Sequence, residues 1–153
     1  MIQRIQTIYL AISLILFSFL LFLPFIKYDT SEGIFEFFAL GLKNTSQNPT
    51  QMIISAIPVL VLIIIIIAIQ IFTIIKFKNR MLQIRLSFLS IFLMIGVYIL
   101  VIAYNYFGFE ITAISTSFQF SMIIPVLSII LTYMANRKIK KDEDLVRSVD
   151  RIR

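Results

Sequence analysis

Residues 52–75 read MIISAIPVLVLIIIIIAIQIFTII, a run without a single lysine, arginine, aspartate or glutamate. Its β-branched centre, Val59 to Ile67, would suit a strand in water. The run has no period-2 alternation, however, and is much longer than a strand. As a helix rising 1.5 Å per residue it covers about 36 Å, enough to cross ~30 Å of hydrocarbon. In lipid an isolated strand leaves its N–H and C=O groups unpaired, whereas a helix satisfies them internally. The stretch is read as a membrane-crossing helix.

Three more uncharged apolar stretches run from about Ile5 to Ile26, Leu86 to Tyr104 and Phe118 to Asn136. Each is close to the roughly 20 residues that a crossing requires. Composition agrees: 59% of the 153 residues are hydrophobic, 14% are charged and the mean hydropathy is +0.97. Soluble domains carry about 25% charged residues. The first stretch follows Arg4 as a signal peptide would, but it is too long and ends at Pro24-Phe25-Ile26-Lys27 without a small-x-small cleavage site. It is read as a retained anchor.

Charge sets the direction. Arg4, Lys76, Lys78, Arg80, Arg85, Arg137, Lys138, Lys140, Lys141, Arg147, Arg151 and Arg153 all fall on one side if the stretches alternate, and only Lys27 and Lys43 fall on the other. This is the positive-inside distribution, which puts both termini and the middle loop in the cytoplasm. The expected fold is an all-α integral membrane protein. Residues 1–136 form a four-helix transmembrane bundle, and residues 137–153 form a basic cytoplasmic tail. The net charge of +6 is explained by topology and calls for no nucleic acid.

Two short matches suggest a duplication, with coincidence in an Ile/Leu-rich chain as the alternative. Met1-Ile-Gln-Arg4 resembles Met81-Leu-Gln-Ile-Arg85, and Ile57-Pro58-Val59-Leu60 matches Ile124-Pro125-Val126-Leu127. Two tandem hairpins would produce this pattern, with each proline about two turns into its helix. Ser117, Ser121, Ser128, Thr132 and Ala135 are spaced to share one helical face. Such a stripe ordinarily marks close helix packing; a hydroxyl lining for a polar path is the alternative.

Chemistry has little to work with. The chain has no cysteine and no histidine, so the usual zinc, haem and iron–sulfur ligands and His-based nucleophile pairs are missing. The apolar stretches hold no acid or base of the kind that marks ion pathways. No enzymatic activity and no cofactor is expected. Glu36 and Glu110 stand among phenylalanines on the outer side, where residues 33–42 are expected to lie as an interfacial turn or helix.

The tail is the most patterned segment. Arg137, Lys138, Lys140 and Lys141 suit anionic headgroups. Asp142, Glu143 and Asp144 open, and arginines close, a short helix matched to its dipole. Leu145, Val149 and Ile152 would give that helix an apolar edge, and Glu143–Arg147 a supporting pair; Asp150 faces Arg153. Asp142, Glu143, Leu145, Arg147, Val149, Asp150 and Ile152 are therefore the candidate partner-binding residues.

Together, the start Met1-Ile-Gln-Arg-Ile-Gln-Thr7 and the ending Lys141-Asp-Glu-Asp-Leu-Val-Arg-Ser-Val-Asp-Arg-Ile-Arg153 resemble the bacterial family called domain of unknown function 4293. Its members, in the Bacteroidetes, are short four-span proteins with a similar ending, in which a leucine stands where this chain has Ile152. The resemblance implies a bacterial inner membrane and assigns no activity or site. The expected role is a non-enzymatic scaffold or accessory subunit with a protein partner or a second copy of itself. The alternative is a small oligomeric channel or carrier using the hydroxyl face of the fourth stretch.

Overall fold

A computed structural model describes residues 3–31, 33–46, 51–77, 79–108 and 114–150. Its helices are α1 (Gln3–Ser18), α2 (Ile57–Ile75), α3 (Arg80–Ala103) and α4 (Ile124–Asp150). Three apolar helical segments, Ile57–Ile75, Arg80–Phe107 and Phe120–Leu145, are long enough to cross a membrane, while the apolar part of the first helix, Ile5–Leu21, is shorter. The expectation of an all-α chain is corrected: β1 (Ile26–Thr30), β2 (Gly33–Phe38), β3 (Gly41–Asn44), β4 (Gln51–Ser55) and β5 (Ser115–Phe118) form one antiparallel sheet in the order β4-β3-β2-β1-β5.

The sheet shortens the expected spans. After α1 the chain makes a 3₁₀ turn, Phe19–Leu21, and Pro24, which has no N–H to offer a helix, precedes the strand that contains Ile26. Residues 52–55 likewise belong to β4 and Ser117 to β5, not to helices. Residues 33–42 form neither an interfacial helix nor a loose turn but β2, a two-residue turn and the start of β3. Both prolines lie in the first helical turn, Pro58 after Ile57 and Pro125 after Ile124. At those positions no N–H is needed and the fixed φ is helical. The two helices start alike, although not with the prolines two turns in.

The sheet has two unlike faces. Tyr28, Phe35, Phe37 and Leu42 are buried, whereas Lys27, Glu36 and Lys43 stand in one cross-strand row on the opposite face. Opposite charges on neighbouring strands contribute roughly 0.2–1 kcal/mol per pair. Glu36 thus stands in register between two lysines, while Lys27 also pairs with Asp29 at 3.4 Å. Glu110 lies outside the described residues.

The buried face closes over one end of the helices. Phe37 packs between Phe25 and Tyr104, with ring centroids 5.8 and 5.9 Å apart. A single apolar cluster runs from these rings through Phe17 and Leu20 of the first hairpin, Val59 and Ile63 of α2, and Val97 and Val101 of α3. The second hairpin is joined to the first by backbone: Ile114 N donates to Asp29 O at 2.9 Å and Gln119 N to Phe25 O at 3.0 Å.

Tyr28 Oη donates to Asn105 Oδ1 at 2.7 Å, and burial pushes its phenol up to about 12. An unfolded tyrosine titrates near 10. The stability tied to the neutral phenol is therefore complete below about pH 10 and is lost as pH rises through about 12. Tyr28→Phe should flatten this alkaline loss of stability, at the expense of one hydrogen bond, ~1 kcal/mol. Unfolding transitions recorded between pH 8 and 12 test it; an unchanged alkaline limb would refute the assignment.

α1 packs against α4 and α2, and α3 packs against α2 and α4, so the four helices close into a ring. The ring reverses the pattern of a soluble protein. Ile8, Ile15, Ile64, Phe92 and Ile99 point outward and are exposed, while Ser13, Gln70, Ser87, Ser128 and Thr132 are buried inside. Polar groups turned inward and apolar ones outward are what a hydrocarbon surrounding requires.

Candidate functional site at the basic end of the helices

The end of the ring opposite the sheet carries the start of α1, the connection from α2 to α3 at Lys76–Asn79, and the far half of α4. This end has most of the chain's charge. No charged side chain is buried among the described residues.

The expected separate tail helix is not what forms. α4 runs without a break from Ile124 to Asp150, because residues 126–153 contain neither glycine nor proline. The acids 142–144 therefore lie mid-helix, and the dipole argument for a new N-terminus there does not apply. Asp142 is instead a fastening point. Its carboxylate accepts from Gln6 Nε2 of α1, and its carbonyl accepts from Arg80 Nη1 of α3 at 3.2 Å.

The predicted site residues divide around the helix. Lys138 lies over the Tyr9 ring, 5.4 Å from its centroid, and Lys141 is exposed. Leu145 is 54% exposed. Arg137, Lys140 and Glu143 turn toward α3 and line a groove of about 440 Å³ together with Asp144, Asn136 and Tyr133. Met81, Ile84 and Phe88 of α3 form its other wall. The side chains of Arg147, Val149 and Asp150 lie outside the description, as does all of Ile152.

Sequence reasoning missed Asn136 and the α3 wall. Asn136 is 3% exposed, yet neither its Nδ2 nor its Oδ1 has a partner among the described residues. A buried amide without partners costs about 1–3 kcal/mol, so it stands out as a group made to meet something else. The signal was present: Tyr133, Asn136/Arg137, Lys140 and Glu143/Asp144 recur at three- to four-residue steps, and so do Met81, Ile84 and Phe88 on a helix running the other way.

The hydroxyl stripe has a local use. Ser13 Oγ meets Thr132 Oγ1 at 2.9 Å and donates to Ser128 O at 3.1 Å, while Gln70 Nε2 donates to Ser13 Oγ at 3.0 Å. Ser121 Oγ donates to Pro24 O, and Ala135 is fully buried. These contacts fit the packing-seam reading of the stripe. Gln70 Oε1 and Ser87 Oγ are buried without partners among the described residues. Among the described residues no three His, Cys, Asp or Glu side chains gather as a metal site.

The chain belongs to the family described as Domain of unknown function (DUF4293), whose model matches residues 2–152. The likeness read from its two ends therefore extends over almost the whole chain. No curated protein matches it.

Proposed function

We propose that the chain crosses a bacterial inner membrane four times, with both termini in the cytoplasm, as a non-enzymatic scaffold or accessory subunit whose α4 tail docks on a partner. The first crossing is the short one. Ile5–Leu21 is at the lower edge of the ~17–25 residues that a helix uses, and its final 3₁₀ turn stretches it at ~2.0 Å per residue. Phe22, Tyr106, Phe107, Phe118 and Phe120 are strongly exposed around the sheet end, Phe107 at 91%. They suit an aromatic belt at one interface, with the basic cluster at the cytoplasmic one.

The observation that carries the docking role is the unbroken helix α4, clamped at Asp142 and continuing to Asp150. A segment already ordered pays less entropy on binding than a loose tail. Deleting residues 145–153 spares the clamp and the groove. Crosslinking in native membranes should then lose the proteins that accompany the full chain, and an unchanged set would refute docking. Because the chain has no cysteine, single cysteines report topology cleanly. Thr116→Cys should react with an impermeant maleimide from outside intact cells and Lys141→Cys only after lysis; the reverse pattern would overturn the orientation.

A second reading, the small oligomeric channel or carrier, draws on the unpartnered Gln70 and Ser87 groups. Ser128 and Thr132 are already bonded to α1 of the same chain, which favours the scaffold. Vesicle flux abolished by Ser121→Leu or Ser128→Leu would favour the channel.

A further inference from the structure

We infer that the groove between α3 and α4 at the basic end is a binding site for one phospholipid with a primary-amine headgroup, of the ethanolamine type. The inference rests on the membrane placement proposed above and not on the tail having a protein partner.

The groove changes character in the order in which a phospholipid does. Phe88, Ile84 and Tyr133 line its part nearest the apolar middle of the helices, where an acyl chain would lie. Asn136 follows, a lining residue whose buried Nδ2 and Oδ1 have no partner among the described residues; turned into the groove, its amide would suit the glycerol ester and phosphate oxygens. Beside it is Arg137, and one turn further along is Lys140; their charge-assisted hydrogen bonds suit a phosphate.

Glu143 and Asp144 then line the outer part. This last pair decides the headgroup. A site for an acidic lipid would gain nothing from two carboxylates above the phosphate, and like charges there would repel it. A headgroup carrying an ammonium beyond its phosphate is complementary to basic-then-acidic order. From Lys140 to Asp144 is ~6 Å along a helix at 1.5 Å per residue, which suits the two-carbon arm between phosphate and ammonium together with its hydrogen bonds.

The full-length protein, purified in mild detergent and exchanged into nanodiscs of phosphatidylethanolamine, phosphatidylglycerol or phosphatidylcholine, tests the site by native mass spectrometry. The wild type should retain one phosphatidylethanolamine with a preference over phosphatidylcholine of roughly tenfold, the worth of one hydrogen bond to a charged group. Asp144→Asn, alone and with Glu143→Gln, should erase the preference over phosphatidylglycerol while phospholipid is still retained. Arg137→Gln with Lys140→Gln should lose retention of all three lipids. Circular dichroism checks that each variant is folded.

Phosphatidylglycerol held more tightly than phosphatidylethanolamine by the wild type would overturn the amine assignment. A preference for phosphatidylethanolamine left unchanged in the Asp144→Asn variant and in its combination with Glu143→Gln would do the same. A folded wild type that retains no phospholipid, or a photocrosslinker at Tyr133 that labels protein and no lipid, would overturn the site itself. Deleting residues 145–153 should leave lipid retention unchanged even where it abolishes copurification, so the two proposals fail separately.

Discussion

Gly41→Ala is expected to destabilise the protein by about 3 kcal/mol or more, whereas Gly33→Ala should cost clearly less. Both glycines sit at positive φ, +150° for Gly41 and +135° for Gly33, and a side chain there stores roughly 1–3 kcal/mol of strain. The difference lies in what a Cβ would strike. At Gly41 it would run into the carbonyl oxygen of Ile54 and lie 2.9 Å from Ser55 Cα, both backbone atoms of the neighbouring strand. That strand cannot withdraw without breaking the pairing of β3 with β4, and Ala56 N, just beyond it, is bonded to Leu40 O at 2.9 Å. At Gly33 the Cβ would meet the Ser46 side chain at 2.6 to 2.8 Å, which can turn aside, giving up its hydrogen bond from Ile34 N. Denaturant or thermal unfolding of both variants in the same detergent measures the contrast. Equal losses would mean that β4 is not held where it is drawn.

Those two glycines also show where the sequence was legible and where it was not. The apolar blocks located the helices because nothing but a helix can bury twenty uncharged residues in lipid. The same rule overran at the ends. Ile26, the residues 52–55 and Phe118 are as apolar as the spans beside them, and hydropathy does not distinguish a helix end in lipid from a strand packed on that end. The sheet was written in a shorter period. Tyr28, Phe35, Phe37 and Leu42 alternate with Lys27, Glu36 and Lys43, and the glycines at 33 and 41 each open the next strand. Phenylalanines among carboxylates invited an interfacial loop instead, since the partner strands for such short segments lie 80 or more positions away in the case of β5.

The basic end was legible by composition and misread by grouping. Along the chain, Arg137 to Lys141 and Asp142 to Asp144 form two successive blocks, one suited to headgroups and one to a partner. On an unbroken helix, blocks in sequence become stripes in space, so Arg137, Lys140, Glu143 and Asp144 share one groove while Lys138 and Lys141 leave it. Asn136 shares the three- to four-residue spacing of its neighbours in the groove, but as one uncharged polar residue at the end of an apolar run it does not stand out from that run. Only its burial without a partner marks it.

Ser13→Leu is the other substitution with a large expected effect, and it tests the inward-polar arrangement of the ring. Ser13 is fully buried, and its hydroxyl joins three helices, meeting Thr132 Oγ1 at 2.9 Å and Gln70 Nε2 at 3.0 Å. Leucine in that space overpacks the α1–α4 contact, which costs typically 1–3 kcal/mol. It also strands Gln70, whose Oε1 already lacks a partner among the described residues, for about 1–3 kcal/mol more. A loss of roughly 2–6 kcal/mol is therefore expected. It should appear as a large drop in thermal stability and as weakened disulfide capture between cysteines placed on α1 and α4. Ser13→Ala removes the hydroxyl without the clash. It should cost far less, because hydrogen bonds between membrane helices average only about 0.6 kcal/mol, with about 1.7 at most. A double-mutant cycle with Gln70→Leu separates the terms, with a coupling inside that range expected. If Ser13→Leu is as mild as Ser13→Ala, the space around Ser13 is open rather than packed. The hydroxyls of α4 would then line a cavity instead of a seam, the one result that would move the balance from scaffold toward carrier.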